Sequence, residues 1–222
     1  MTATNTAAAG IRAPLALIGS GVLAMAVLEA LNPEYDLIGE TISRYVHGTA
    51  GWLLPAALLA AGAASAVLTV RLGTGAGRAG RAGRAALAVW TVGILVAALF
   101  PADPPGQWGR PSPSELVHGN AAFLAFAALP TAALLLRRAL AGWRPGLRTA
   151  LNILTAASVT ATAALAVFLV DVMHGGPSLG PAGAPTLVGL VERLVIAADF
   201  GWIALATVAM GSRQEQGRDR RA

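Results

Sequence analysis

The chain has 222 residues and a formal net charge of +5, and 55% of its residues are hydrophobic whereas only 12% are charged. A water-soluble domain carries about 25% charged residues, so this composition excludes a globule whose whole surface faces water. The absence of cysteine excludes disulfide bonds and thiolate chemistry. All 16 basic residues are arginines, which lie in short clusters between apolar runs. This arrangement is typical of the loops of a membrane protein and does not indicate nucleic-acid binding.

Six apolar runs follow one another along the chain, and a helix needs about 20 such residues to cross a bilayer. We place them at 14–31, 50–70, 85–100, 117–136, 149–170 and 187–210. Backbone groups in lipid must be bonded within their own segment, which favours helices, and no run alternates as a barrel strand would. The sequence therefore predicts an all-α, polytopic bundle of six transmembrane helices, forming one membrane domain over 14–210.

The arginines predict how this bundle is oriented in the cell membrane. Thirteen of the 16 lie before the first run, after the last run, or in the two loops at 71–84 and 137–148. Only Arg44, Arg110 and Arg193 fall on the opposite side. Because basic loops stay in the cytoplasm, we expect both the N-terminal segment 1–13 and the basic tail 211–222 to be cytoplasmic.

An internal repeat is the strongest signal beyond composition. The segment 43–50, SRYVHGTA, recurs 71 residues later as 114–121, SELVHGNA. The histidine match is informative because the chain has only three histidines. We interpret the repeat as helical hairpins laid side by side in parallel orientation. In a helix, Ser43 would share a face with His47, as Ser114 would with His118. Chance similarity in an alanine-rich chain is the alternative.

Polar residues with chemical potential concentrate at the predicted outer ends of the helices. Their residue types suit an outward-facing cavity that could bind a small molecule, a lipid or a metal ion such as zinc. No metal-binding spacing is present, so metal and cofactor stay unknown. The alternative is that these groups cap helices at headgroup level. The candidate binding residues are Ser43, His47, Ser114, Glu115, Asp171, His174 and Asp199.

The start of the fourth helix has a recognisable capping pattern. Ser112 is predicted to cap it, Pro113 to occupy its first turn, and Glu115 to reach back to the cap. Glu115 and His118 then share one face, three residues apart. Asp171 and His174 would be neighbours if the fifth helix runs one more turn.

The sixth run carries the residues that are most costly to place in lipid. Asp199 falls near its middle, and Glu192 lies seven residues earlier on the same side. An intramembrane carboxyl usually faces the bundle interior and often has a function, here a proton relay. The alternative is a neutral Asp199 bonded to the fifth helix, which offers Asn152, Thr155, Ser158 and Thr162. For Arg193, which points away from Glu192, we expect Asp103 or Asp171 as the partner.

Four short segments resemble the bacterial and archaeal membrane proteins grouped as domain of unknown function 998. The segments are Tyr35-Asp36 with Thr41-Ile42-Ser43, Phe100-Pro101-Ala102-Asp103, His118, and Gly189-Leu190-Val191-Glu192-Arg193. The resemblance spans roughly the first to the sixth helix. It implies a six-helix membrane protein and no particular reaction.

Two classes of function stay open from the sequence. One is transport of a small molecule, including proton-coupled transport, with Asp199 as an internal switch. The other is a membrane-embedded enzyme, metal-dependent or not, that acts on a lipid or isoprenoid. Its candidate catalytic residues are Asp36, Asp103, His118, Glu192 and Arg193. Expected partners are the lipid bilayer and a lipid or small-molecule ligand.

Overall fold

The computed structural model describes residues 4–73, 77–105, 107, 110–173 and 186–219. Within them six α-helices are long and apolar enough to cross a membrane, which confirms the predicted fold class. The helices are α1 Thr4–Leu31, α2 Leu53–Arg71, α3 Arg78–Leu99, α4 Pro113–Trp143, α5 Arg148–Met173 and α6 Val188–Asp219. Two short 3₁₀ helices, Ile42–His47 and Pro145–Leu147, complete the regular structure of this part. We call the first of these the 3₁₀ segment.

The helix boundaries follow local chemistry. The helix α2 begins at Leu53, three residues later than predicted, because Ala50 takes a left-handed φ of 56° that interrupts helical geometry. By contrast, α4 begins earlier than its apolar run, at Pro113, because Ser112 caps it.

The helices pack most closely within three consecutive hairpins, α1–α2, α3–α4 and α5–α6, and α6 also packs against α1, α2 and α4. Accordingly, α6 is the most buried of the six candidate spans and α5 the least buried. At one side of this bundle the helices α1, α3 and α5 end and the helices α2, α4 and α6 begin. We call that side the histidine end, because His47 and His118 lie there, and the opposite side the arginine end.

A proline in α4 shapes the contact between α4 and α5. Pro130 lies inside α4 and has no N–H to give to the carbonyl of Phe126, four residues earlier. The hydroxyl of Thr162 in α5 donates to that carbonyl instead, at 3.2 Å. A backbone acceptor that lipid could not satisfy thus finds a partner on the neighbouring helix.

Candidate functional site: a groove with a polar head

A cavity of about 370 Å³ lies between α4, α5, α6 and the 3₁₀ segment. Its polar lining gathers at the histidine end, and the remainder of its wall is almost wholly apolar. Five side chains make up this polar part, which we call the polar head. They are Thr41, Ser43, Glu115, His118 and Glu192.

The apolar part of the cavity runs along α4 and α5 towards the arginine end. It reaches Leu134, 16 residues beyond His118, which corresponds to roughly 24 Å of helix. Small side chains such as Ala122 and Ala163 widen it. Because the lining residue Phe123 is 56% exposed, the cavity is open to the side. We call it the α4–α5 groove.

His118 is fixed in one orientation by the end of α3. Its Nδ1 lies 3.0 Å from the carbonyl oxygen of Ala97 and 2.8 Å from that of Phe100. Carbonyls only accept hydrogen bonds, so we assign the proton to Nδ1. Nε2 is then the nitrogen left for other contacts, and no described residue bonds it. The side chain is only 7% exposed and lines the groove.

Glu192 joins the first turns of α6 to the 3₁₀ segment. Its Oε2 accepts a hydrogen bond from the backbone N–H of Ile42 at 2.5 Å. That N–H opens the 3₁₀ segment and has no partner within the helix itself. Glu192 is 6% exposed and lines the groove with His118. The contact therefore ties the segment that contains Thr41 and Ser43 to the rest of the polar head.

Glu115 is held by the segment that leads into α4. The Oγ of Ser112 accepts from the Glu115 N–H at 3.1 Å, which confirms the predicted cap. The expected return contact to Ser112 is wrong, because Asp103 accepts from the Ser112 N–H at 2.8 Å. Glu115 instead accepts from the Asp103 N–H at 2.6 Å. A hydrogen bond from the Ser112 side chain, followed by the one from its N–H, holds the pKa of Asp103 below its usual value.

Arg193 turns away from the groove and lies between α1 and the 3₁₀ segment. Its Nε donates to Glu29 at 2.5 Å, and its two terminal nitrogens bond the carbonyls of Glu40 and Gly189 and the hydroxyl of Tyr45. The expected partners Asp103 and Asp171 are wrong, since the residue after Glu192 points about 100° around α6, towards α1. Burial raises the pKa of the Tyr45 phenol, against the opposing effect of Arg193.

Asp199 lies buried between α5 and α6. Ser158 donates to its Oδ1 at 2.6 Å, so one of the four predicted polar residues of the fifth helix is its neighbour. Its Oδ2 has no hydrogen-bond partner among the described residues. Asp199 does not line the α4–α5 groove.

The remaining candidates serve local structure at the histidine end. Asp36 accepts from the N–H groups of its own turn at Ile38 and Gly39. His47 bonds the carbonyl of Ala102 through Nε2 at 2.6 Å, and Ser114 donates to the carbonyl of Pro101 at 2.7 Å.

In the described part of the chain, no three His, Asp or Glu side chains lie close enough together to hold one metal ion. Asp171 lies in the last turn of α5, which ends at Met173. His174 lies outside the described residues.

Sequence reasoning found Ser43, Glu115, His118 and Glu192 but missed other parts of the site. Thr41 gave no signal apart from the family resemblance. The buried Asn32, which bonds the backbone of Leu28 and Thr49, follows an apolar run directly and looks like an ordinary helix end. The groove itself could not be found, because its wall consists of alanines and leucines that look like any lipid-facing surface.

A family model described as "Protein of unknown function (DUF998)" matches residues 15–209, which is most of the chain. The chain belongs to this family. No curated protein and no solved structure matches the DUF998 chain. The resemblance stated from the four short segments is thereby confirmed.

Proposed function

We propose that this DUF998 protein binds single lipid molecules in the α4–α5 groove and performs acid–base chemistry on their polar heads. The observation that carries the proposal is the shape of one cavity. It joins His118, Glu115 and Glu192 to an apolar path along two membrane helices. The path, at roughly 24 Å of helix, is longer than one leaflet, because the hydrocarbon core of both leaflets together is about 30 Å thick.

The chemistry follows from how the polar head is held. Nδ1 of His118 is bound to carbonyls, so Nε2 is the nitrogen that can take a proton from a head-group hydroxyl or a water molecule. A base oriented through its other nitrogen is a common arrangement for general base catalysis. Glu115 and Glu192 are anchored by backbone N–H groups, which positions them to hold the head. The proton taken by Nε2 would return from the same nitrogen to the leaving oxygen.

The membrane setting of the proposal comes from the arginines. Thirteen of the 16 belong to the side of the N-terminus and the basic tail, and such residues favour the cytoplasm. We therefore place both termini in the cytoplasm and the polar head at the outer face of the cell membrane. The lipid would enter sideways from the outer leaflet.

Proton-coupled transport is the second candidate, and Asp199 is the observation that favours it. A buried carboxyl between two membrane helices, with one oxygen unbonded among the described residues, is typical of a residue that exchanges protons. It has less support, because Asp199 lies outside the one groove that contains the polar head.

The test uses purified protein in phosphatidylethanolamine–phosphatidylglycerol vesicles that carry a trace of phospholipid with a photoreactive group in its acyl chain. Crosslinks in the wild-type protein should map to α4 and α5. Ala163→Phe fills the groove and should abolish them. Ala156→Phe is the matched control, because Ala156 is also an exposed alanine on α5 but does not line the groove.

The same vesicles test the chemistry. Supplied with total membrane lipid, the wild-type protein should change the amount of at least one head-group class, measured by mass spectrometry. His118→Asn keeps a donor for the Ala97 and Phe100 carbonyls but removes the basic nitrogen, so it should crosslink normally and leave the lipids unchanged. Equal crosslinking of the Ala163→Phe and Ala156→Phe variants would overturn the proposal.

A further inference from the structure

We propose that the head group bound here donates hydrogen bonds, as a primary amine or a hydroxyl-rich head does, and does not place a phosphate against the polar head. This inference rests on the lipid-binding function proposed above and names the chemical class of the ligand. It is carried by the balance of donors and acceptors that line the groove.

The polar head consists of acceptors and hydroxyls. Glu115 and Glu192 contribute carboxyl groups, and His118 contributes the lone pair of Nε2. Thr41 and Ser43 contribute hydroxyls, and the Ser43 hydroxyl already donates to Thr41 at 2.9 Å. A ligand that donates several hydrogen bonds would satisfy these acceptors of the protein, whereas a ligand that only accepts hydrogen bonds would not.

Two of the three arginines at the histidine end are directed elsewhere, and the third, Arg110, is exposed and does not line the groove. Arg44 is 2% exposed and donates to the carbonyls of Pro104 and Gln107 at 2.6 and 3.0 Å. Arg193 is bound to Glu29 and to backbone carbonyls on the side of α1. Neither arginine lines the groove. Phosphate recognition relies on arginine, lysine or free backbone N–H groups, and the first two do not line this cavity.

Several backbone donors near the polar head are also occupied. The N–H of Ile42 is taken by Glu192, and the N–H of Asp103 is taken by Glu115. The N–H of Glu115 is taken by Ser112. The N-terminus of α4 could otherwise attract an anion. However, the Ser112 side chain accepts from the N–H of Glu115, and the Asp103 carboxylate accepts from the N–H of Ser112.

Electrostatics favour the same class of ligand. Two carboxyl groups line the polar head, that of Glu192 being buried, and neither arginine nor lysine is among the residues that line the groove. Buried carboxylates need a cation or strong donors to offset the loss of water. An ammonium group or a cluster of hydroxyls supplies this, and a phosphate would add repulsion.

The experiment compares three amphiphiles with the same dodecyl chain: dodecylamine, dodecyl glucoside and dodecyl phosphate. Each competes with the photoreactive phospholipid for crosslinking to α5. We expect the amine, the glucoside or both to compete at concentrations at least about tenfold below the phosphate, because hydrogen bonds to charged groups are stronger than neutral ones. A preference for the amine or for the glucoside identifies which donor the head carries.

Variants separate the polar head from general charge effects. Glu192→Gln still accepts from Ile42 and should reduce competition by the amine at least about tenfold. Glu34→Gln, an exposed carboxyl outside the groove, should leave it unchanged. Equal or better competition by the phosphate overturns the inference and leaves the groove intact as a lipid site. Crosslinks that no amphiphile and no Ala163→Phe substitution displaces overturn the proposed function itself.

Discussion

The two copies of the internal repeat share five of eight residues and adopt different structures. The first copy, 43–50, lies mainly in the 3₁₀ segment and continues into a turn in which Ala50 has a φ of 56°. The second copy, 114–121, lies within the first turns of α4. The prediction that Ser43 and His47 share an α-helical face is therefore wrong, whereas the second copy is helical as expected.

Flanking residues account for this difference. The second copy follows Ser112 and Pro113, which cap and start an α-helix. Before the first copy, Thr41 makes no side-chain cap, and the N–H of Ile42 is bound by Glu192 from α6. Tertiary contacts thus replace local signals in the first copy.

The histidines show the same contrast. Both bind backbone carbonyls at the end of α3, but His47 uses Nε2 and His118 uses Nδ1. Because its Nδ1 is bound to carbonyls at the end of α3, His118 has Nε2 as its unbonded ring nitrogen. Each histidine thus keeps one ring nitrogen without a partner among the described residues, but only His118 lines the groove.

The glycines of the two copies give the largest expected difference. A Cβ on Gly48 would overlap the Oδ1 of buried Asn32, whereas a Cβ on Gly119 meets only the tip of Glu115 at 4.0 Å. Gly48→Ala should therefore lower the free energy of unfolding by about 3 kcal/mol or more. Gly119→Ala should leave it unchanged or raise it by up to about 1 kcal/mol, because alanine favours helix. Thermal unfolding in detergent micelles measures both.

Gly48 has a φ of −89°, which any residue can adopt, so the prediction depends on space and not on backbone freedom. Shortening Asn32 to alanine in the Gly48→Ala background would test this, because it removes the overlapping atom. Equal stability of the two single variants would mean that Gly48 and Gly119 occupy equivalent environments, and the contrast between the copies would fail.

Substitutions of the two histidines should change stability by an intermediate amount, and the substitution that is tolerated should differ between the two sites. Asparagine places its amide donor near the position of Nδ1, and glutamine places it near Nε2. His118→Asn and His47→Gln should therefore keep the wild-type melting temperature. His118→Gln and His47→Asn should lose about 1–3 kcal/mol, with the exposed His47 at the lower end.

The crossed pattern provides its own control, since each substitution is conservative at one site and disruptive at the other. The same preference at both histidines, whichever amide it favours, would contradict the assigned ring nitrogens. It would also remove the argument that Nε2 is the unbonded nitrogen of His118.

The sequence was sufficient for the fold and for part of the site. Apolar runs of membrane length determine six helices because lipid offers the backbone no alternative partner. Glu115 and His118 could be placed together because a single helix fixes their spacing.

Other contacts could not be predicted, because they join segments far apart in the chain. Arg193 pairs with Glu29 across 164 residues, and Glu192 reaches the N–H of Ile42 across 150. Both contacts depend on which elements pack against α6. The spacing of residues along the chain does not determine that packing.

The alanines at the last positions of the two copies give the smallest and most local difference. Ala50 pays a conformational penalty at a positive φ that glycine does not, so Ala50→Gly should raise the free energy of unfolding by up to about 1 kcal/mol. Ala121 lies buried inside α4, where glycine costs about 1 kcal/mol, so Ala121→Gly should lower it by that amount or more. Unfolding curves of the two variants, recorded under the same detergent conditions, should shift in opposite directions. A shift in the same direction would mean that position 50 is helical like position 121, and the structural difference between the copies would then have to lie before Gly48.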